Sequence, residues 1–225
     1  MITITERKAK ESAKEYVVRT LMDNIVTLQI KPGEQLLESG FCEQLHVSRT
    51  PFREGLLELS RRLLVDIRPK IGTYVSYIDP DLVSQVGHLR IVLECELARM
   101  ACEQFTQDQI DQLMENLAVW PIYIRKNQPD RILVLDQEFH LMMYQMCARR
   151  FWYELVGTYS PHYDRAAGLC VCRYPMEELL HGNERLLAAI EQRDVVSARR
   201  IVEENVRRYT KDLNVVREEF PAYFR

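Results

Sequence analysis

The stretch Val47-Ser48-Arg49-Thr50-Pro51-Phe52-Arg53-Glu54 decides how the N-terminal part of the chain is interpreted, because it has the pattern of a helix start. Ser48 is a favoured N-cap residue, since its hydroxyl can accept a backbone N–H of the first turn. Pro51 falls inside that turn, where a missing N–H costs nothing. The polar side chains near this helix N-terminus, where free N–H groups favour phosphate, are Arg49, Thr50 and Arg53. The stretch fits a DNA-recognition helix or an ordinary surface helix with a few arginines.

The residues before this stretch favour the first alternative. Apolar residues recur at helical spacing over 12–28, and Lys31-Pro32-Gly33 marks a turn. A short helix is predicted at 39–45, and His46-Val47 joins it tightly to the helix that opens at Ser48. Two short helices joined by a tight turn are a helix-turn-helix, whose second helix enters the major groove of DNA.

The residues after the stretch predict a β-hairpin. Segments 64–68 and 73–77 are rich in β-branched and aromatic residues, and Pro69-Lys70-Ile71-Gly72 between them forms a turn. A hairpin directly after a recognition helix is a wing, and its Arg68, Lys70 and bare Gly72 backbone can reach phosphate or the minor groove. The alternative is a plain edge hairpin.

Together these motifs resemble the winged-helix head of GntR-family transcription regulators. The resemblance rests on Lys31-Pro32-Gly33-Glu34, on the 47–54 motif, and on Ile67-Arg68-Pro69 with Gly72. It implies DNA contacts at Arg49, Thr50, Arg53 and Gly72, to which the helix start and the wing add Ser48, Arg68 and Lys70. Two residues depart from the family pattern. Ser39 stands where many members carry a phosphate-binding arginine, and Leu63 replaces the glycine that usually ends the recognition helix, so that C-cap must be built another way.

Composition fits a DNA-binding head on a separate body. The chain has 225 residues with a net charge of −3, but residues 1–78 carry 12 Lys/Arg against 10 Asp/Glu, and 79–225 carry 18 against 23. No stretch approaches the roughly 20 apolar residues that span a bilayer, and the polar start argues against a secretion signal. We therefore expect a cytoplasmic protein with no membrane partner, whose six cysteines are mostly reduced.

From residue 79 onward the pattern is helical. Helices are predicted at 80–103, 106–126, 128–147, 150–171, 175–192 and 194–213. The predicted fold is mainly α: a winged helix-turn-helix domain over 1–78, followed by an all-α bundle of six to seven helices over 79–225. The motif order resembles the FCD effector domain of the FadR-type GntR branch. The matching pieces are Leu89-Arg90 with Leu93-Glu94, Asp136-Gln137-Glu138-Phe139-His140, and Leu187-Ala188-Ala189-Ile190 with Asp194.

Asp136 and His140 are four residues apart, so they share one helix face and can share a ligand. A carboxylate with an imidazole suits a divalent first-row metal. The resemblance implies two further histidines, but Asn183 and Asn205 stand at those positions, and an amide oxygen is a poor substitute for imidazole with zinc or nickel. Three interpretations stay open: a weakened or oxygen-preferring metal site at these four residues, a metal-free effector pocket, or a satisfied core histidine.

Two arginines are candidate effector ligands. Arg90 is polar on an otherwise apolar helix face, which indicates either a salt-bridged side chain or a guanidinium fork for an effector carboxylate. Arg165 is a second candidate of the same kind. Cys170-Val171-Cys172 is not expected to act as a redox or metal sensor, because thiols two residues apart point away from each other on a helix.

The leading interpretation is a ligand-responsive regulator, expected to repress, that binds a palindromic operator in double-stranded DNA as a homodimer. Its effector is expected to be a small metabolite, in particular a carboxylate. One alternative is a DNA-binding protein without an effector. The other is a metal-dependent enzyme with Asp136 and His140 as ligands or acid and base, which the missing second carboxylate or nucleophile motif disfavours.

Overall fold

The computed structural model describes residues 2–171 and 175–225. Over these residues the chain is helical apart from one two-stranded antiparallel sheet. The elements of the N-terminal part are α1 (Ala13–Val26), α2 (Glu38–Leu45), α3 (Arg49–Arg61), β1 (Val65–Arg68) and β2 (Gly72–Val75). They are followed by α4 (Pro80–Gln104), α5 (Gln107–Ala118), α6 (Trp120–Arg125), α7 (Pro129–Met146), α8 (Arg150–Val171), α9 (Met176–Glu191), α10 (Val195–Lys211), α11 (Leu213–Glu219) and a 3₁₀ turn, η1 (Pro221–Tyr223).

The chain divides into two compact units. Unit 1 comprises Met1–Val83, Thr158–Leu169 and Leu213–Arg225, and unit 2 comprises Ser84–Gly157 and Cys170–Asp212. The middle of α8 and the C-terminal tail therefore belong with the helix-turn-helix, although they are distant from it in sequence. The predicted domain boundary between residues 78 and 79 stays a prediction.

Unit 1 is built on the packing of α1 against α3. A capping box starts α1, because the Ser12 hydroxyl accepts the Glu15 N–H and the Glu15 carboxylate accepts the Ser12 N–H. A Cβ on Gly55 would lie 2.6 Å from Cγ1 of Val17, so the two helices cross closely at this glycine. The fully buried side chains of this core include Val17, Leu21, Ile25, Phe52, Leu59 and Leu64.

The hairpin that follows α3 has the predicted form. Val65 pairs with Val75 and Arg68 with Gly72, which leaves a three-residue turn at 69–71. A third segment extends the sheet, since Leu36 N–H donates to the Thr73 carbonyl at 2.8 Å and Gly33 N–H to the Val75 carbonyl at 2.9 Å. The wing is therefore held to the segment that precedes α2.

Unit 2 is a bundle of α4 to α7, α9 and α10 around one apolar core, with Trp120 and Phe139 fully buried. Most helix predictions are confirmed here to within about two residues. The predicted helix at 106–126 is wrong, because it is two helices with a break at Val119. Pro121 cannot donate to the Leu117 carbonyl, which instead accepts the Val119 N–H. Over the described residues no helix combines the length and apolar character needed to cross a membrane.

The C-terminal tail forms regular structure beyond the last predicted helix. After Lys211 a further helix, α11, buries Leu213 and Val216, although no helix was predicted there. The tail then runs beside Ile78, whose N–H donates to the Tyr223 carbonyl at 2.9 Å, and Phe224 is buried. The tail thus packs within unit 1.

Candidate DNA-binding surface and effector site

The predicted recognition helix begins where the sequence indicates, but without the expected cap. Ser48 is the N-cap residue of α3 in extended conformation, yet its side chain makes no capping hydrogen bond, which corrects that prediction. Ser48, Arg49, Thr50 and Arg53 are all exposed. This end of α3 therefore presents a free hydroxyl and two guanidinium groups on its surface.

Both arginines of this helix start are held by one carboxylate. Nε of Arg53 donates to Oε2 of Glu38 at 2.8 Å, and Nε of Arg49 lies 3.4 Å from Oε1 of the same residue. The hydrogen bond to Glu38 raises the pKa of Arg53. Sequence reasoning missed Glu38, and its only signal there is an acidic residue at the first position of the preceding helix.

The opposite end of α3 shows how the chain dispenses with the usual glycine. Leu63 adopts a left-handed conformation with φ of +60°, and its N–H donates to the Ser60 carbonyl at 2.9 Å. The Leu64 N–H donates to the Leu59 carbonyl at 3.0 Å, so the two bonds form a Schellman motif. A leucine in this conformation is strained, because its Cβ crowds the following carbonyl oxygen.

The wing residues are placed together at the hairpin turn. The Arg68 guanidinium lies 4.9 Å from the Tyr74 ring centroid, and Lys70 is at the turn with φ of +63°. Gly72 has φ of +150°, and a Cβ there would lie 2.6 Å from Nε2 of Gln35. Since residues with a side chain rarely adopt this φ, the backbone conformation favours glycine here, while DNA contacts by Arg68, Lys70 and Gly72 stay predictions.

In unit 2 the structure brings the four predicted residues onto adjacent helices. His140 Nε2 lies 3.8 Å from Asp136 Oδ1 on α7, and Asn183 of α9 donates from Nδ2 to the same oxygen at 2.8 Å. Asn205 of α10 lies against α9, where its Oδ1 would be 2.6 Å from a Cβ on Gly182, and it accepts a hydrogen bond from Arg208 at 3.2 Å. Asn183 is buried and Asp136 and His140 are partly exposed.

This donor set does not fit a zinc or nickel ion. It offers one imidazole and one carboxylate. Asn183 points its N–H group toward Asp136, and an N–H group cannot coordinate a cation. Among the described residues no group of three or more His, Cys, Asp or Glu side chains could hold a metal ion. Asp136, His140 and Asn183 lie together as polar side chains on α7 and α9, and both a role in effector binding and an oxygen-preferring metal site stay predictions.

A second polar group lies at the other end of the same α7 face. Asp136, His140 and Tyr144 follow one another at four-residue spacing, so they lie along one side of α7. Burial raises the pKa of Tyr144, and its hydroxyl is buried with no hydrogen-bond partner among the described residues. The Tyr153 ring meets the Tyr144 ring edge-on at 5.6 Å.

The predicted effector ligand Arg90 is salt-bridged, the simpler of its two interpretations. Its Nε donates to Oε1 of Glu94 at 2.8 Å, and the Glu94 side chain is only 7% exposed. Both charges act on Tyr144: Glu94 raises the pKa of its hydroxyl and Arg90 lowers it. The half-buried Arg90 and the buried Glu94 therefore lie close enough to the Tyr144 hydroxyl to influence its charge state.

Arg165 is hydrogen-bonded to protein atoms, and its role as an effector ligand stays a prediction. It belongs to unit 1, where it bonds Ser76 and His162, whereas Arg90, Asp136, His140, Asn183 and Asn205 belong to unit 2. Arg165 lies on α8, a helix that contributes to both units, so the sequence alone does not show which unit it joins. Cys170 is buried, and its predicted companion Cys172 lies outside the described residues.

A helix-turn-helix with a wing in one unit and an all-α second unit define a winged-helix DNA-binding protein with a helical companion domain. Residues 13–75 match the family of bacterial regulatory proteins described as the gntR family, and residues 85–208 match the FCD domain. The chain belongs to the GntR-type transcriptional regulators that carry an FCD domain, as the sequence resemblance indicated.

The chain is similar to known transcriptional regulators, to some of them along its whole length. It is 27% identical to the HTH-type transcriptional repressor RspR of Escherichia coli K12, covering 100% of this chain and 99% of that protein. It is 28% identical to the Nta operon transcriptional regulator of Aminobacter aminovorans, over 52% of this chain and 56% of that one. These relatives are regulators rather than enzymes, which supports the expectation that this chain has no catalytic role.

The fold is shared with solved structures. The E. coli McbR/YncC structure matches with a TM-score of 0.74 at 21% identity, covering 93% of this chain and 99% of that one. A GntR regulator from Rhodococcus sp. RHA1 matches with a TM-score of 0.68 at 16% identity, covering 90% and 97%. At these identities the similarity establishes the fold alone.

Proposed function

We propose that this DNA-binding regulator is a cytoplasmic, effector-responsive repressor of the FadR type that binds a palindromic operator as a homodimer. Its α3 enters the major groove, where Arg49 and Arg53 read base edges and Ser48 and Thr50 contact phosphate. The wing adds phosphate contacts through Arg68, Lys70 and the Gly72 backbone. The homodimer is part of the same proposal, because a two-fold symmetric protein matches a palindromic operator.

The effector site is proposed along α7 and its neighbours, at Arg90, Asp136, His140, Tyr144, Asn183 and Asn205. The observation that carries this proposal is the Tyr144 hydroxyl, which is buried without a partner among the described residues. An unsatisfied buried hydroxyl costs about 1–3 kcal/mol, and a bound polar ligand would recover that free energy. Binding of a polar ligand at this site is therefore favoured by the hydrogen bond that the Tyr144 hydroxyl would gain.

The proposed effector class is a small carboxylate. Arg90 is a cationic group of the site and is already paired with Glu94, so an effector carboxylate would share or displace that contact. His140, Asn183 and Asn205 supply further hydrogen bonds for hydroxyl or carbonyl groups on the same molecule. Binding would alter the placement of the two DNA-binding heads in the dimer, and because half-sites have fixed spacing, operator affinity would fall.

The test is a thermal-shift screen of small mono- and dicarboxylates on the full chain, with and without EDTA, followed by operator-binding titrations for each hit. A true effector raises the melting temperature, weakens operator binding, and loses both effects in Arg90→Gln. The matched control is Arg125→Gln, which removes an arginine from α6. If no carboxylate shifts the melting temperature while operator binding is intact, the proposed carboxylate effector is wrong.

A further inference from the structure

The part of α8 that belongs to unit 1 carries two buried polar side chains that the proposed function does not use. They are His162, with 2% of its surface exposed, and Arg165, with none. Burial lowers the pKa of Arg165 to about 10, which leaves the guanidinium charged at neutral pH. Burying a charge is costly unless the charge is paired and its hydrogen bonds are satisfied.

The two side chains form one directed hydrogen-bond chain. Arg165 donates from Nη2 to Nδ1 of His162 at 3.1 Å, and His162 Nε2 lies 2.8 Å from the Arg62 carbonyl oxygen. Since a guanidinium can only donate, Nδ1 must be the acceptor, so the ring proton is on Nε2 and is donated to Arg62. His162 is thereby fixed as one neutral tautomer.

The hydrogen-bond chain continues from Arg165 to Ser76, the residue that follows the wing. Nη1 of Arg165 donates to the Ser76 carbonyl at 2.8 Å, and Nη2 lies 3.4 Å from the Ser76 hydroxyl. Arg62 is the C-cap residue of α3, and Ser76 directly follows the last residue of β2. The pair therefore connects the end of the recognition helix to the exit of the wing.

Stability alone explains this arrangement poorly. Nε of Arg165 is buried with no hydrogen-bond partner among the described residues, and the bonds that the guanidinium does make go to uncharged atoms. An apolar side chain of similar volume would avoid the cost of desolvating the guanidinium charge and the cost of leaving Nε without a partner. The arginine instead contributes geometry, because its planar guanidinium donates to Ser76 and His162 at fixed angles.

We infer that His162 and Arg165 are positioning residues for DNA binding, which hold the recognition helix and the wing in the relative orientation that lets both contact one operator. This inference rests on the proposed roles of α3 and the wing. It extends the DNA-binding unit beyond the helix-turn-helix segment to residues of α8, which are more than 80 positions away in sequence from the wing.

The experiment compares Arg165→Gln, Arg165→Lys and His162→Phe with wild-type full chain. The two DNA probes are a duplex that the wild-type protein selects from a random-sequence pool and a scrambled duplex of the same length. We expect Arg165→Gln to weaken binding to the selected duplex about tenfold, as loss of a hydrogen bond from a charged group would. Scrambled-duplex binding should change much less, and Arg165→Lys should recover part of the loss by donating to the Ser76 carbonyl.

The matched control is Ile25→Val, a core change in α1 that lowers stability without touching this pair. A merely structural role predicts that Arg165→Gln behaves like this control, with a lower melting temperature but unchanged affinity of the folded fraction. That result would overturn the inference. Loss of binding in Arg53→Ala with normal binding in Arg165→Gln refutes the inference alone, whereas normal binding in Arg53→Ala refutes the proposed recognition helix.

Should Arg165→Gln fail to fold, hydrogen exchange on the wild-type protein decides the matter. Adding the selected duplex should slow exchange in peptides covering Thr158–Leu169, because holding α3 and the wing on DNA stabilises the bonds that connect them. Slower exchange in α3 peptides with no change in Thr158–Leu169 would overturn the inference.

Discussion

Nε of Arg53 donates a hydrogen bond to the Glu38 carboxylate at 2.8 Å, so the side chain proposed to read the operator is oriented by the preceding helix. With Nε bound, the edge of the guanidinium formed by its two Nη atoms remains available in this geometry for a bidentate contact with guanine. Glu38 also lowers the net positive charge at this end of α3, which reduces attraction to any DNA.

Replacing Glu38 should therefore raise the affinity for DNA in general and lower the preference for the operator. In Glu38→Ala, binding to random-sequence DNA should strengthen, because Arg49 and Arg53 are released to phosphates. The ratio of operator to random-DNA affinity should fall roughly fivefold, about 1 kcal/mol, since the arginines lose their fixed orientation. Fluorescence anisotropy at one fixed salt concentration measures both affinities.

The control for this change in charge is Glu54→Ala, which removes an exposed carboxylate from α3 itself. Glu54→Ala should raise both affinities alike and leave their ratio unchanged. An equal ratio in Glu38→Ala and wild type would show that Glu38 does not orient the arginines.

Leu63→Gly should stabilise the protein by about 0.5–1 kcal/mol. Leu63 is 51% exposed and has a positive φ, so glycine removes backbone strain at little loss of packing. The gain is reduced by the greater freedom of glycine in the unfolded chain. A higher denaturant midpoint at unchanged slope supports the prediction, and Leu57→Gly, within α3, serves as the opposite control that should destabilise.

Stability should fall in mild acid through His162. Burial, with Arg165 adding to it, lowers the pKa of His162 from 6.5 to about 4, against the opposing effects of the Arg62 carbonyl and Asp79. Between these two pKa values the unfolded chain binds a proton that the folded protein does not. The free energy of unfolding should therefore drop by roughly 3 kcal/mol from pH 6.5 to pH 4, and no stability is lost from this group above pH 6.5.

Denaturant unfolding at several pH values checks this contribution. His162→Gln removes the titrating ring, so its stability should depend less steeply on pH over the same window. Parallel profiles for the wild type and the variant would mean that His162 titrates alike in the folded and unfolded chains.

Tyr144→Phe should have opposite effects on stability and on effector binding. Without effector, the variant should be as stable as the wild type or about 1 kcal/mol more stable, because it removes a buried hydroxyl that has no partner. The same variant should bind the effector more weakly, because the hydrogen bond to the ligand is lost. Calorimetric titration of a screening hit into both proteins measures this, and a loss of stability without effector would show that the hydroxyl is already satisfied.

Much of the architecture could be predicted because it depends on residues that are close together in the sequence. The 47–54 motif, the preceding short helix and the alternating wing strands each fix their own conformation, and Asp136 and His140 share a face by helical spacing alone. The Ser48 cap failed because a favourable residue type does not ensure that its side chain bonds the backbone. Likewise, Pro121 was overlooked as a break within an otherwise helical pattern.

The contacts between distant segments could not be predicted. Nothing near Arg165 in sequence indicates Ser76, and nothing in the tail indicates that Phe224 runs beside Ile78. Such pairs depend on how whole helices pack, which a single sequence without local periodicity at those positions does not encode. For the same reason the sequence does not indicate that Arg165 lies in a different unit from Arg90 and Asp136.

The most direct test of the account is operator binding by Arg53→Ala, measured beside Arg61→Ala. Both substitutions remove an exposed arginine from α3, but Arg61 lies in the last turn, away from the proposed base-reading end. The account predicts that Arg53→Ala loses discrimination between the selected duplex and random DNA, with unchanged helical content by circular dichroism, while Arg61→Ala keeps it. Wild-type discrimination in Arg53→Ala would contradict the assignment of α3 as the recognition helix.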